Sequence, residues 1–294
     1  HLLLVGPPGC GKTLLASRLP GLLPEATEDE ALEAAAVASI SGRGLDPSRW
    51  RDRPFRAPHH TASAVALIGG GAQPRPGEVS LAHHGVLFLD ELPEWQRPAL
   101  EVLREPLESG VVTVSRAARS AEFPARFQLV AAMNPCPCGW AGDPSGRCRC
   151  NDEIVRRYRG RISGPLLDRI DLHVNVARLP PSELRGDAPG GEPTAVVRER
   201  VVAARRLQAT RGGASNARLS QADTLAHCRL VEADQALLEH AVEKLQLSAR
   251  SMMRILRVAR TIADLADSAD IRTPHLAEAI GYRVIDRSTA SVAA

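Results

Sequence analysis

The octapeptide GPPGCGKT, Gly6 to Thr13, constrains this chain more than any other stretch. It matches G-x-x-x-x-G-K-[ST], a loop whose backbone N–H groups turn inward around phosphate oxygens. The context is the one the loop requires. HLLLV before it reads as a buried strand, and GKTLLASRL opens a short helix stopped by Pro20. Gly6, Gly9 and Gly11 supply the backbone freedom, with Pro7, Pro8 and Cys10 completing the cradle. Lys12 is the residue that reaches the β- and γ-phosphates, and the Thr13 hydroxyl is a Mg²⁺ ligand.

A second apolar run, VLFL from Val86, ends in Asp90 and Glu91. A carboxylate there can hold Mg²⁺ through water (Asp90), and its neighbour can polarise an attacking water (Glu91). Together with the loop, this pair points to nucleotide hydrolysis. LVAAM ends in Asn134, whose amide can orient that water; the plainer alternative is an asparagine starting the turn before Pro135.

The surrounding pattern alternates short apolar runs with helical periodicity, as βαβ units around a mostly parallel sheet do. EDEALEAAAVASISG predicts a helix ended by Gly42, and EWQRPALEVLREPLESG one helix despite its prolines. VVTVSRAARSAEF predicts a hairpin, and RFQLVAAMN and RIDLHVNV two more strands. The expected organisation is an α/β core over 1–178 with a cysteine-rich insertion at 135–151, a Pro/Gly-rich linker over 179–193, and a small all-α domain over 194–294. Aromatics are only 3%, so the core must come mainly from Ala, Val, Leu and Ile. A net charge of +3 over 294 residues means that any basic footprint is local. No run approaches the roughly 20 apolar residues of a membrane helix, and no signal-peptide pattern opens the chain. Six cysteines in a chain of this length do not make a disulfide scaffold, so a reducing, cytoplasmic setting is expected. The chain begins inside a strand and without Met, which reads as a piece of a longer protein.

Four cysteines, Cys136, Cys138, Cys148 and Cys150, form two C-x-C pairs nine residues apart behind Asn134. Four thiolates suit a closed, structural Zn²⁺ site. Free thiols, an iron–sulfur cluster and disulfides are the other readings of the same residues. The pairs His59–His60 and His83–His84 read as polar loop packing, since adjacent side chains diverge on most backbones.

The loop, the acidic strand end, Asn134 and the trailing helices together resemble the AAA+ ATPases. FRAPHHTASAVALIGGG, PRPGEVSLAHHGVLFLDELPEW, NPCPCGW, RYRGRISGPLLDRIDLHV and SARSMMRILRVARTIADL resemble, more narrowly, the magnesium-chelatase-like ComM (YifB) family. The resemblance spans essentially the whole chain. It implies a homo-hexameric ring with ATP between subunits, and a Lon-protease-like domain upstream. It implies an arginine finger at Arg169 in LLDRID, against which stands an intrachain pair with Asp168 or Asp171. It also implies a nucleotide-sensing arginine at Arg250, with Arg254 as competitor. Finally, it implies a helicase-like motor for branch migration in natural transformation and recombination, on single-stranded or branched DNA without sequence preference. Arg116 and Arg119 at the hairpin, and Arg156, Arg157, Arg159 and Arg161 around Tyr158, are the candidate phosphate contacts, with a solvated or intersubunit surface as alternative. A chelatase motor driving metal insertion into a porphyrin and an ATP-gated scaffold are the rival functions.

Overall fold

The computed structural model describes residues 1–42, 44, 46–71, 73–116, 119–180 and 191–283. They form two compact units, one built on 1–170 and 174–180, the other on 171–173 and 191–283. The first is the expected α/β core. A five-stranded sheet combines β1 (Leu2–Val5), β2 (Phe55–Arg56), β5 (Val86–Leu89), β8 (Gln128–Met133) and β9 (Leu172–Asn175, whose first two residues are counted with the second unit) in the order β2-β5-β8-β1-β9. β8 is central and parallel to both neighbours, with Leu2 opposite Val130 and Val86 opposite Gln128. That register brings the carboxyl ends of β1, β5 and β8 to one edge, where Gly6, Asp90 and Asn134 follow. β5 is buried throughout, as expected of a strand covered on both faces. Leu4, Ala16, Val86, Phe88, Val130 and Ala132 pack as one cluster, and each large member stabilises the fold by about 1.5–3 kcal/mol.

Two pairs of strands stand outside this sheet. β3 (Gly69–Gly70) and β4 (Arg75–Pro76) form a two-residue ribbon. β6 (Val111–Arg116) and β7 (Arg119–Pro124) form the predicted hairpin, with Val112 opposite Phe123. The helix Glu28–Ile40 opens on a capping box. Thr27 Oγ1 accepts from Glu30 N (3.2 Å), and Glu30 Oε2 accepts from Thr27 N (3.1 Å). The single helix expected over residues 94–110 is instead two short ones, Arg97–Glu101 and Pro106–Ser109. Pro98 is tolerated in a first turn. Pro106, carried in a helix interior, would lack its N–H and drive its ring into the carbonyl of Val102, so it opens a new helix.

The second unit is helical, with Thr194–Gly212, Gln221–His227, Glu232–Lys244, Ala249–Leu265 and Thr273–Gly281. Leu238, Ile255, Leu256, Ala259, Ile271 and Leu276 lie in its core. Within it Asp264, 4% exposed, accepts from Arg260 Nε (3.1 Å), Asn216 Nδ2 (2.8 Å) and Arg211. Most of the predicted linker, residues 181–190, lies outside the described residues. No helix among the described residues is long and apolar enough to cross a membrane.

Candidate active site

The loop Gly6–Thr13 runs from β1 into the helix Lys12–Arg18. Gly9 and Gly11 stand at φ 76° and 90°, where a side chain is strained. Gly6 is needed for space: a Cβ there would lie 2.3 Å from the Val176 carbonyl oxygen and 2.8 Å from Cys10 Sγ. Lys12 Nζ donates to Gly6 O (2.8 Å), Pro7 O (2.9 Å) and Asn134 Oδ1 (3.2 Å). Thr13 Oγ1 donates to Asp90 Oδ2 (2.8 Å). The parallel register thus brings together, from three strand ends, four residues spread over 122 positions. A hydroxyl beside a carboxylate is a hard-oxygen donor pair and fits Mg²⁺.

Glu91 follows Asp90 at φ 51°, a conformation uncommon for a side-chain-bearing residue. Asp90 Oδ1 accepts from Glu91 N (2.9 Å), which steadies that turn. The exposed Glu91 carboxylate meets His60 Nδ1 at 3.0 Å, and the His59 ring packs on His60 with centroids 4.2 Å apart. His59–His60 is therefore loop packing of a particular kind, since one ring touches the carboxylate assigned to water activation. The partnership spans 31 residues and has no sequence signal beyond the unusual pair itself.

His83 and His84 do not diverge. His84 sits at φ 58°, the two rings lie with centroids 3.8 Å apart, tilted by 49°, and both Nε2 atoms meet Glu33 Oε2, at 2.9 and 2.7 Å. His83 Nδ1 accepts from Arg126 N (2.9 Å), so its ring proton is on Nε2, leaving no lone pair there for a metal. Burial lowers the His83 pKa to about 4, and hydrogen bonds from His83 and His84 hold the Glu33 carboxyl at about 2. This cluster ties the helix Glu28–Ile40 to the start of β5.

The four cysteines of the insertion converge. Their sulfurs all lie within 4.8 Å of one another, with Cys136–Cys138 at 3.3 Å, Cys136–Cys148 at 3.8 Å and Cys138–Cys148 at 3.7 Å. All six cysteines are free. A tetrahedral Zn–S₄ centre with bonds of about 2.3 Å has S···S edges of about 3.8 Å, so the set fits that ion. Backbone N–H groups of Arg149 and Trp140 lower the Cys138 thiol to about 6, whereas desolvation and the neighbouring sulfurs push Cys150 up to about 11 and raise Cys148.

Arg169 is buried, donating to Glu108 Oε2 (2.6 Å) and Pro165 O (2.7 Å). Glu108, 61 positions away, is an acidic partner that the local sequence around Arg169 does not announce. Both line an open cleft of about 570 Å³ with Glu101, Arg104 and Glu105. Arg156 and Arg157 are exposed on the helix Asp152–Arg159. Arg159 Nε instead donates to Pro135 O (3.0 Å), and Arg161 pairs with Glu94 (2.9 Å). The backbones of Arg116 and Arg119 are the paired hairpin ends; their side chains, and residues 117 and 118, lie outside the described set. In the helical unit, Arg250 is exposed in the first turn of Ala249–Leu265, and Arg254 is bonded to Asp171 (2.6 Å).

A P-loop, an acidic strand end and a strand-end amide on a 2-5-8-1-9 parallel sheet, followed by a helical unit, define an AAA+ ATPase core with its lid. Family comparison agrees. Residues 1–184 match magnesium chelatase, subunit ChlI, and residues 191–283 match its C-terminal region. Over 288 residues the chain is 52% identical to competence protein ComM of Haemophilus influenzae and 50% identical to YifB of Escherichia coli K12, in each case covering 98% of this chain and 56% of the relative. It is 27% identical over 206 residues to the chloroplastic magnesium-chelatase subunit ChlI of Nicotiana tabacum, covering 63% of this chain and 43% of that one. The chain belongs to the magnesium-chelatase-like AAA+ family, on its ComM/YifB side, and that membership implies ATP and Mg²⁺ as ligands. It spans just over half the length of these curated ComM and YifB relatives.

Proposed function

We propose that this chain is the motor part of a cytoplasmic, homo-hexameric ATPase ring that remodels or moves along DNA. The carrying observation is the Lys12–Asn134 and Thr13–Asp90 pair of hydrogen bonds at one sheet edge, in a chain 52% identical to a competence protein. Backbone N–H groups of Gly6–Thr13 cradle the phosphates, and Lys12 exchanges carbonyl partners for phosphate oxygens. Thr13 and Asp90 hold Mg²⁺, which offsets charge on the phosphates. Glu91 takes a proton from a water that Asn134 orients. Arg169 leaves Glu108 to reach the γ-phosphate of the neighbouring subunit, which couples turnover to assembly, and Arg250 senses nucleotide from the lid. Cys136, Cys138, Cys148 and Cys150 hold a structural Zn²⁺.

DNA contact rests on Arg156 and Arg157, which are exposed, and on Arg116 and Arg119 at the hairpin; Arg159 and Arg161 already serve intrachain partners. Such contacts go to phosphates, so binding is salt-dependent and weakly sequence-specific. The chelatase reading is the weaker one, with 27% identity against 52%. The complete hydrolytic set argues against a scaffold. The test is ATP turnover of the full-length protein with and without single-stranded and branched DNA across a salt series. Stimulation that fades as salt rises is expected. Turnover indifferent to DNA but raised by a porphyrin would reverse the substrate assignment.

A further inference from the structure

The cysteine knuckle does not stand apart from the phosphate loop. β8 ends at Met133, Asn134 bonds Lys12, and two residues later the fully buried Cys136 opens the knuckle. The chain then turns sharply, with Gly139 N donating to Cys136 O (2.9 Å) and Gly139 at φ 84°. That turn lays the Gly139 backbone against the phosphate loop. A Cβ on Gly139 would lie 2.6 Å from Pro8 Cδ, 3.2 Å from Pro8 Cγ and 3.8 Å from Asn134 Cγ. Pro8 is otherwise exposed, so Gly139 is a wall for it. Behind that wall the knuckle carries no helix or strand. Its turn bonds run from Asp143 N to Trp140 O and from Gly146 N to Asp143 O, and Gly142 and Gly146 both adopt positive φ. The convergence of the sulfurs, with Ala141 N donating to Cys136 Sγ (3.3 Å), closes it, together with the Arg147 guanidinium over the Trp140 ring (4.9 Å).

We propose that the metal-closed knuckle is a buttress for the phosphate loop: Zn²⁺ held by Cys136, Cys138, Cys148 and Cys150 keeps Gly139 against Pro8, and its occupancy sets the affinity of the loop for ATP. The proposal rests on the Zn²⁺ and P-loop assignments made above. Without the ion, a Gly- and Pro-rich segment regains its chain entropy and the wall recedes. Gly9 and Gly11 then leave the loop with more conformations, which ATP must reorder as it binds.

The test is equilibrium binding of a fluorescent ATP analogue with Mg²⁺ to the full-length protein, alongside zinc content by elemental analysis. Protein is compared as purified, after chelator dialysis with Mg²⁺ restored, and after return of Zn²⁺. A chelator is preferred to a thiol reagent, because Cys10 Sγ lies 3.8 Å from Lys12 Nζ and would itself be modified. The dissociation constant should rise about tenfold on zinc removal and recover on its return. An unchanged constant in metal-free protein, or tight ATP binding by protein that never held zinc, overturns the proposal.

Two variants keep the question answerable if the metal-free protein unfolds. Gly139→Ala adds a methyl against Pro8, whereas Gly142→Ala imposes the same backbone strain at φ 78° with no atom within 4 Å. Both should retain zinc, with nucleotide binding weakened several-fold only in Gly139→Ala. Equal effects, or none, would refute the buttress. Lys12→Ala separates the two assignments: if it binds ATP as well as the parent, the P-loop reading fails, whatever the knuckle does.

Discussion

Two clusters in this molecule are built from nearly the same side chains and are put to opposite uses. In the α/β unit, a lysine, an aspartate, an asparagine and a threonine (Lys12, Asp90, Asn134, Thr13) meet at a sheet edge, with Thr13 exposed and the other three half-buried. In the helical unit Arg211 and Arg260 meet Asp264, Asn216 and Thr261, and there Arg260, Asp264 and Asn216 are all under 5% exposed. Asp264 is saturated: Arg260, Arg211 and Asn216 occupy both of its oxygens, and Arg260 also donates from Nη1 to Ala269 O (2.7 Å) and from Nη2 to Ser268 O (2.5 Å). The open cluster can trade its hydrogen bonds for those of a ligand. The closed one has nothing left to trade and serves to lock helix to helix. Residue type does not separate a site from a staple; accessibility and spare valence do.

The comparison can be broken most severely at its chemical end. Glu91→Gln should cut ATP turnover by about 10²–10⁴-fold, the usual weight of a general base. Nucleotide affinity and thermal stability should stay as they are, so turnover and melting measured together check it. Asp264→Ala should do the reverse, because it strands the buried Arg260 guanidinium. A stability loss of about 3–5 kcal/mol is expected by denaturant titration, and a loss under about 1 kcal/mol would show that the network is not a staple.

A third prediction uses protons. Burial keeps His83 neutral in the folded chain down to about pH 4, whereas an unfolded histidine takes up its proton near its ordinary value, about 6.5. The unfolded state therefore binds more protons between those values, and stability falls as pH drops through that window, by about 3 kcal/mol in all. Glu33, held at about 2, extends the loss below its unfolded value near 4.5. His83→Gln should flatten the upper part of the profile; a profile with the same slope would place the acid sensitivity elsewhere. The smallest effect belongs to His60. Its 3.0 Å contact steadies an exposed carboxylate, so His60→Ala should lower turnover about five- to tenfold with KM little changed. The same change in a Glu91→Gln background should add nothing.

What could be read from the sequence follows from the range of each signal. Contiguous patterns were legible: the buried runs of β1, β5 and β8, the hairpin, and the four long helices of the second unit each carry their own period. β2 at Phe55–Arg56 and the ribbon of β3 with β4 are two residues long and carry no period at all. The apolar spacing that predicts one helix through Pro106 does not register a missing N–H, and the chain breaks there into two. The nucleotide residues were named from a motif, but their bonding to one another depends on a sheet order that no local window contains. Glu108 beside Arg169, Glu91 beside His60, and the convergence of His83 with His84 are likewise products of long-range packing or of a backbone angle.

The central position of β8 also governs when the site can exist. β1 is made well before its sheet neighbours β8 and β9, which begin only at residues 128 and 172. At about 5–20 residues per second, a ribosome needs on the order of ten seconds to deliver the first of them. Through that interval Leu2–Val5 is an apolar strand with two bare edges, the kind of segment that pairs with the wrong chain. The phosphate loop is thus synthesised well before the sheet that holds it is complete. Until then ATP can give the growing polypeptide no stabilisation.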